Sequence, residues 1–380
     1  MVGHERNENK NSNREKGDAK HLGACVPQSI AIPACPTSVS CCHWLYDIPF
    51  GAMSARVLAY DLGGTKIAAA IVSREGKILS KLKTPVASDR QKSSVLRQMT
   101  ALGRQLLDGM GKKSVLGIGI ASAGPLDPGD GVLLDPTNLS GKEHPWGRVP
   151  IAKILSKNLG LPSVLENDAA AAILAEQWLG RAKKSDNAMI LTLGTGLGTG
   201  ILCNGQLVRA GRGLHTEGGH LILNWTDTTA RCGCGNDGCA EAYLSGTGFA
   251  HRFQKLHADI VPAITRHSPT GAFDSAAVAH AARQGPPGPA RAAFEEYGRI
   301  LALAIHNYTV VFAPEIVILT GSFAEASDLF LNTARQHLQL LLVRRRKGVD
   351  LLPKIVISNL HNDAGVLGGA RVAFDRFLRR

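Results

Sequence analysis

Twice along this chain an apolar run ends in a glycine turn and then resumes. The first instance is Arg56–Tyr60, then Asp61-Leu62-Gly63-Gly64-Thr65-Lys66, then Ile67–Val72. The second is Ala188–Leu193, then Gly194-Thr195-Gly196-Leu197-Gly198-Thr199-Gly200, then Ile201–Cys203, with a further strand over Gln206–Arg209. Short apolar runs bounded by glycine read as strands, and a glycine pair between two of them reads as a hairpin. Neither turn opens a helix. Neither therefore fits a P-loop, which needs Gly-Lys-Ser/Thr at a helix start, or a dinucleotide fingerprint. Glycines do expose backbone N–H groups with no Cβ in the way, which suits a phosphate. A plain hairpin would explain either segment alone. Two of them, each with threonine hydroxyls, predict two related α/β domains facing each other across a cleft that grips a phosphate chain from both sides.

The rest of the chain fits that reading. A strand over Lys77–Thr84 and a helix over Ser93–Leu107 are followed by a strand over Val115–Ala121 that ends in Ser122-Ala123-Gly124-Pro125. A helix over Pro150–Leu159, a short buried strand over Ser163–Leu165 and an alanine-rich helix over Asp168–Leu179 come next. The remainder is mostly helical, with strands near Ile316–Thr320 and Lys354–Ser358. The closing helix, Ala364–Arg376, is expected to pack back on the first domain. We divide the chain into an extension (1–53), a small domain (54–166 plus 364–380) and a large domain (167–363). At 380 residues and 44% hydrophobic content there is core enough for such an arrangement.

Residues 1–24 are polar and charged, and the stretch up to Met53 is interrupted by Pro27, Pro33, Pro36 and Pro49, so this extension is expected to be disordered. Its cysteines, Cys25, Cys35, Cys41 and Cys42, have no metal-site spacing. A natural start at Met53 fits the change of pattern there. The net charge of +12 is spread along the chain apart from the run Arg344, Arg345, Arg346, Lys347. That distribution suits an anionic small substrate better than nucleic acid. No apolar run reaches the roughly 20 residues that span a bilayer, and no signal peptide opens the chain. The expected location is the cytoplasm.

Two clusters carry chemistry. Glu166-Asn167-Asp168 joins a strand to a helix. Asn167 or Asp168 would serve there as an N-cap. Alternatively, Asp168 takes the proton from an attacking hydroxyl while Asn167 bonds a neighbouring one. Phosphoryl transfer asks for little more than in-line positioning, Mg²⁺ and one carboxylate within reach. Asp61, at a strand end beside the first glycine turn, is placed to orient Mg²⁺ through water. The second cluster is Cys232-Gly233-Cys234-Gly235-Asn236-Asp237-Gly238-Cys239, shortly after Glu217-Gly218-Gly219-His220. Three thiolates and one imidazole make a closed tetrahedral Zn²⁺ site, structural rather than hydrolytic. It would hold the loop that turns Glu217 and Glu241 toward the hydroxyls of a sugar.

Taken in order, Asp61–Lys66, Glu166–Asp168, Gly194–Gly200, Glu217–His220 and Cys232–Glu241 resemble the ROK family of sugar kinases and repressors, most of all its bacterial glucokinases. The resemblance covers nearly everything from Arg56 onward. It implies an actin-like, hexokinase-type (ribonuclease H-like) two-domain α/β fold, ATP with Mg²⁺ as donor, a hexose acceptor and a homodimer or homotetramer. It implies Asp168 as base, with Asn138, Asn167, Glu217, His220 and Glu241 on the sugar. It also implies His220, Cys232, Cys234 and Cys239 on zinc. ATP falls to Asp61, Gly63, Gly64, Thr65, Lys66, Gly194, Thr195, Gly196, Gly198 and Gly321. Two positions depart from the family pattern: Ala170 stands where a second asparagine is common, and Gly321-Ser322 where a glycine pair is common. The expected reaction is glucose to glucose 6-phosphate. N-Acetylmannosamine, N-acetylglucosamine and fructose are alternative acceptors. A sugar-responsive repressor is the alternative of another class, but it requires a helix-turn-helix before the first glycine turn, and no such periodicity is present.

Overall fold

The computed structural model describes residues 55–378, apart from 111–113, 137, 141–144, 344–349 and the side chain of Arg212. The extension with its four cysteines and Met53, Thr137, and the basic run Arg344–Lys347 lie outside the described residues.

Two five-stranded sheets share one topology. In the first, β1 (Arg56–Leu62) lies between β2 (Lys66–Ser73) and β4 (Val115–Ser122). β2 and β3 (Ile78–Pro85) continue antiparallel on one side. β4 and β8 (Ser163–Asn167) continue parallel on the other. The second sheet repeats the scheme. β9 (Ala188–Leu193) lies between β10 (Leu197–Cys203) and β12 (Ile316–Thr320), β11 (Gln206–Leu207) extends the antiparallel side, and β13 (Lys354–Ile357) the parallel side. The repeat expected from the two glycine turns is thus a repeat of whole sheets, the pairing seen in the hexokinase-type fold.

The second glycine turn is shorter than its sequence suggests. β10 already begins at Leu197, so Gly198 and Gly200 are strand residues. They are glycines because α3 (Asp168–Trp178) crosses β10 closely. A Cβ on Gly198 would lie 2.9 Å from Ala169 Cβ, and one on Gly200 2.4 Å from the Ala169 carbonyl. The strand expected over Gln206–Arg209 stops at Leu207, freeing Arg209 for an ion pair described below. A small antiparallel sheet of β5 (Leu126–Asp127), β6 (Val132–Leu134) and β7 (Arg148–Val149) was not foreseen. Its strands of two or three residues are too short to show an alternation.

The helix α3 explains its own composition. Its sequence DAAAAILAEQW is buried on several faces at once. Ala175 packs with Val57, Ala59 and Ala70 of the first sheet and with α10 (Ala364–Phe377). Ala172 and Ile173 pack with Ala188, Ile190 and Ile318 of the second. Only small side chains let one helix lie between two sheets at close range. α10 reaches the first sheet in the same way. A Cβ on Gly119 of β4 would stand 1.9 Å from the Gly369 carbonyl, so glycine is required on the strand.

The second sheet carries the larger core. α8 (Pro289–Phe312) and α9 (Ser327–Leu342) bring Phe294, Tyr297 and Phe330 into an aromatic cluster with Phe249 and Phe323. Among the described residues no helix is long and apolar enough to cross a membrane.

Candidate functional site

The expected site residues on the two glycine turns, with Asn167, Asp168 and Gly321, fall at the carboxyl ends of strands or just beyond, and the loop of Gly124 joins them there. Asp61 is near the end of β1, Gly124 follows β4, Asp168 follows β8, Gly194 follows β9 and Gly321 follows β12. This is where an open α/β sheet presents loops and helix starts to a ligand.

Asp168 is the first residue of α3, with its Oδ1 accepting from the Ala169 N–H at 2.8 Å. Asn167 is the N-cap, as one of the two sequence readings had it. Its Oδ1 accepts from Ala169 N at 3.0 Å and Ala170 N at 3.1 Å, which leaves its amide Nδ2 as the group to offer a ligand. Burial raises the pKa of Asp168, and the charge of Glu217 adds to that. The Ala169 N–H and the nearby His215 oppose it, and burial wins. Asp61 is pushed up to about 6, first by burial and then by the charge of Asp168. Lys66, Lys81 and Lys83 pull it the other way. Two carboxyls, one near the end of β1 and one at the start of α3, thus share one electrostatic neighbourhood.

The first glycine turn is closed by Gly63 N–H donating to the Lys66 carbonyl at 3.1 Å. A Cβ on Gly64 would lie 2.9 Å from the Asn138 carbonyl, so this turn and the Asn138 loop touch. Arg90 holds both, donating from Nη1 to the carbonyls of Gly64 at 2.8 Å and Asn138 at 2.9 Å. Thr65 is exposed and Lys66 partly buried at the mouth of the turn.

The second turn is bound to the acidic side chains. Gly194 N–H donates to the Gly196 carbonyl at 3.0 Å, with Thr195 between them. Leu197 N–H donates to Glu241 Oε2 at 2.9 Å. A Cβ on Gly196 would stand 2.6 Å from that same oxygen, so glycine is what admits Glu241. Gly321, at φ 95°, lies against the Leu193 backbone and is carried there by Phe323 in the aromatic cluster.

Glu217 opens the turn Gly218–His220. The two glycines pack on β10, where a Cβ on Gly219 would meet the Leu197 carbonyl at 2.1 Å. Tyr308 of α8 donates to the Gly218 carbonyl at 2.7 Å. Burial works against ionising Glu217. A hydrogen bond from His215, its charge and that of His220 outweigh burial and lower the pKa.

His220, Cys232, Cys234 and Cys239 come together as expected, their ligand atoms all within 4.8 Å of one another. His220 Nδ1 is 3.6 Å from Cys232 Sγ, and Cys234 Sγ is 3.6 Å from Cys239 Sγ. A tetrahedron with metal–sulfur bonds of about 2.3 Å has edges of about 3.8 Å, so the donor set fits one. Gly235 and Gly238, at φ 99° and 74°, make the loop's tight bends. Cys232 Sγ is also 3.5 Å from Glu241 Oε1, and α4 (Ala240–Leu244), which carries Glu241, begins directly after Cys239. The ring of His220 is divided between two neighbours: Nδ1 faces the thiols, while Nε2 is 4.0 Å from Glu217 Oε2.

Several contributors were not picked out from the sequence. Arg209 Nη2 pairs with the buried Glu166 Oε2, and its Nη1 donates to the Gly213 carbonyl at 3.2 Å. His215 sits 2.8 Å from Glu217. Arg252 makes two 3.0 Å bonds to Glu296 and lies 3.6 Å from Asp227, tying the loop before the cysteines to α5 (Gly246–Leu256) and α8. Arg90, Arg209 and Arg252 lie outside any motif, and only the folded chain shows their partners. His215 offered a signal, two residues before Glu217, that went unread.

The chain is 31% identical to a glucokinase of Thermotoga maritima over 328 residues, 84% of this chain and 98% of that one. It is 29% identical to a xylose repressor of Caldicellulosiruptor bescii over 259 residues, 67% of this chain but 62% of the repressor. Among solved structures, a ROK family glucokinase from Streptomyces griseus in complex with glucose and AMPPNP superposes with a TM-score of 0.71. It is 30% identical and covers 84% of this chain and 100% of its own. The ROK family model matches residues 57–376, from the second residue of β1 to the penultimate residue of α10, and the chain belongs to the ROK family.

Proposed function

We propose that this protein is an ATP-dependent sugar kinase, with glucose as acceptor and glucose 6-phosphate as product. The observation that carries the reading is the place of Asp168. A carboxyl drawn out of water stands at the start of the helix between the two sheets, with glycine turns at strand ends of both and the acidic loop of Glu217 beside it. The likeness to glucokinases supports the same reading.

In this mechanism Asn138, the Asn167 amide, Glu217, His220 and Glu241 bind the sugar hydroxyls and orient one of them toward Asp168. Asp168 accepts that hydroxyl's proton as its oxygen attacks the γ-phosphorus in line. The backbone N–H groups of Gly63–Lys66 and Gly194–Gly198 hold the phosphates, with Gly321 on the adenosine side. Asp61 orients the hydrated Mg²⁺ that arrives with ATP. Mg²⁺ neutralises charge on the β- and γ-phosphates. His220, Cys232, Cys234 and Cys239 would hold a structural Zn²⁺, which would fix the loop bearing Glu217 and Glu241. In domain terms, 54–166 with 364–380 form the small domain and 167–363 the large one. We expect the protein to work in a reducing, cytoplasmic setting, where the thiols of Cys232, Cys234 and Cys239 stay available to a metal. A homodimer or homotetramer is the assembly we expect, which sedimentation velocity would test.

The test is a coupled assay of the zinc-loaded protein with ATP and glucose, mannose, fructose, N-acetylglucosamine or N-acetylmannosamine in turn. Glucose should give the highest kcat/KM. A folded, metal-replete protein that consumes ATP with none of them would sink the kinase reading. Preference for an N-acetylated sugar or fructose would keep the chemistry and change the substrate. The likeness to a xylose repressor gives a second reading, sugar-responsive DNA binding, and specific operator retention in a gel shift would favour it.

A further inference from the structure

His215 belongs to none of the roles assigned above, yet it is one of the few polar side chains buried in this region, at 8% exposure. Its Nε2 lies 2.8 Å from Glu217 Oε1. Its Nδ1 is buried with no hydrogen-bond partner among the described residues. That asymmetry settles the tautomer. When the ring is neutral, Nε2 carries the hydrogen and donates to the carboxylate, while Nδ1 keeps a lone pair, because a hydrogen on Nδ1 would be buried without an acceptor among the described residues. The ring is also covered from the first sheet. A Cβ on Gly124, in the loop after β4, would lie 3.3 Å from both Cε1 and Nε2. The donor is thus fixed from one side by the first half of the molecule and aimed at a side chain of the second.

Glu217 needs such a partner. Its side chain is 57% exposed, and an exposed glutamate samples many rotamers. With Oε1 engaged by His215, Oε2 keeps both its lone pairs for a ligand, on the side of the carboxylate that faces His220.

We propose that His215 is a positioning residue of the acceptor site, holding Glu217 by one oxygen so that the other is preset for a sugar hydroxyl. The inference rests on the sugar-kinase reading for the identity of the ligand. It acts through Glu217 and makes no contact with ATP.

The experiment compares wild type, His215→Ala and His215→Gln. Glutamine carries an amide N–H that reaches about as far as Nε2. For His215→Ala the KM for sugar should rise about 10- to 100-fold, the worth of a hydrogen bond to a charged group, with the KM for ATP within about twofold of wild type. His215→Gln should recover most of that loss. A structural role alone would move both KM values and the melting temperature together, and glutamine would give no selective rescue. Sugar affinity is measured in parallel by calorimetry without ATP, so the outcome does not depend on turnover. Equal sugar affinity in wild type and His215→Ala would overturn the inference, as would identical defects in the two variants. Wild type that binds sugar without transferring phosphate would instead count against the kinase reading, and the affinities would still decide on His215.

Discussion

Asp61 and Asp168 are held in a state that water alone would not give them, and the consequence is a pH dependence with a definite sign. The proton on Asp61 is bound more tightly in the folded protein, its pKa moving from 3.8 to about 6. From this group, stability is full below pH 3.8 and is lost as pH rises through about 6, because the ionised form is the costly one. Asp61→Asn should therefore melt with wild type near pH 4 and above it at pH 8, followed by circular dichroism. Activity runs the opposite way. In the proposed reaction both carboxylates act in the ionised form, so kcat/KM should fall on the acid side of about pH 6, with apparent values that belong to the pair. An acid limb that stays flat down to pH 4.5 would contradict this. Asp168→Ala should lower kcat by about 10² to 10⁴ with the fold intact. Retention of full activity would remove Asp168 from the base position. At this scale the sequence singled out residues that the fold does bring together, with Glu217 beside Asp168 and the three cysteines beside His220. It was silent where the partner is an ordinary arginine, as at Arg90 and Arg209. Nothing in the letters of Arg209 distinguishes it from the other basic residues until Glu166 is brought beside it.

Among the elements, α3 and the cysteine loop tie local composition to position. α3 was visible in the sequence as an alanine-rich helix, but the reason for the alanines was not. They are the thickness that two sheets allow a helix between them, and that is a property of neighbours distant in the chain. Ala175→Leu should cost about 1–3 kcal/mol through overpacking against the first sheet and α10, read as a lowered midpoint in urea. The convergence of the cysteine loop on His220, by contrast, was legible, because donor types at close spacing leave few ways to fold apart. Cys234→Ser should lower bound zinc and melting temperature together, as measured by metal analysis and calorimetry. A variant that lost the metal with its melting unchanged would show that the loop stands without it. The second glycine turn was read too long for a related reason. Gly198 and Gly200 look like turn residues, and only the approach of Ala169 shows that a strand can require glycine as strictly as a bend does.

For the molecule as a whole, the two halves are joined by more than α3. Arg209 follows the second sheet's β11, and Glu166 lies in the first sheet's β8, directly before Asn167 and Asp168. Glu166 is almost fully buried, while the Arg209 side chain is 38% exposed. Arg209→Ala strands a buried carboxylate and should destabilise by about 2–4 kcal/mol, less than a fully buried pair would. Replacing both partners, as Arg209→Met with Glu166→Gln, should restore part of it, and a double-mutant cycle in urea would measure the difference. The overall plan was half legible. Two glycine turns announced two related halves. The small sheet of β5–β7 and the ion pair between the halves had no local signature.

The return of α10 to the first sheet has a consequence for how the protein is made. Gly368 and Gly369 insert the helix against β1, β4 and α3, so the apolar underside formed by Val57, Ala59, Ala68 and Ala70 is covered only in part, by Ala175 of α3, until residues 364–377 arrive. On the ribosome the N-terminal half cannot close as it emerges. It must wait, partly open, through synthesis of the whole larger half, and its completion is tied to the final turns of translation.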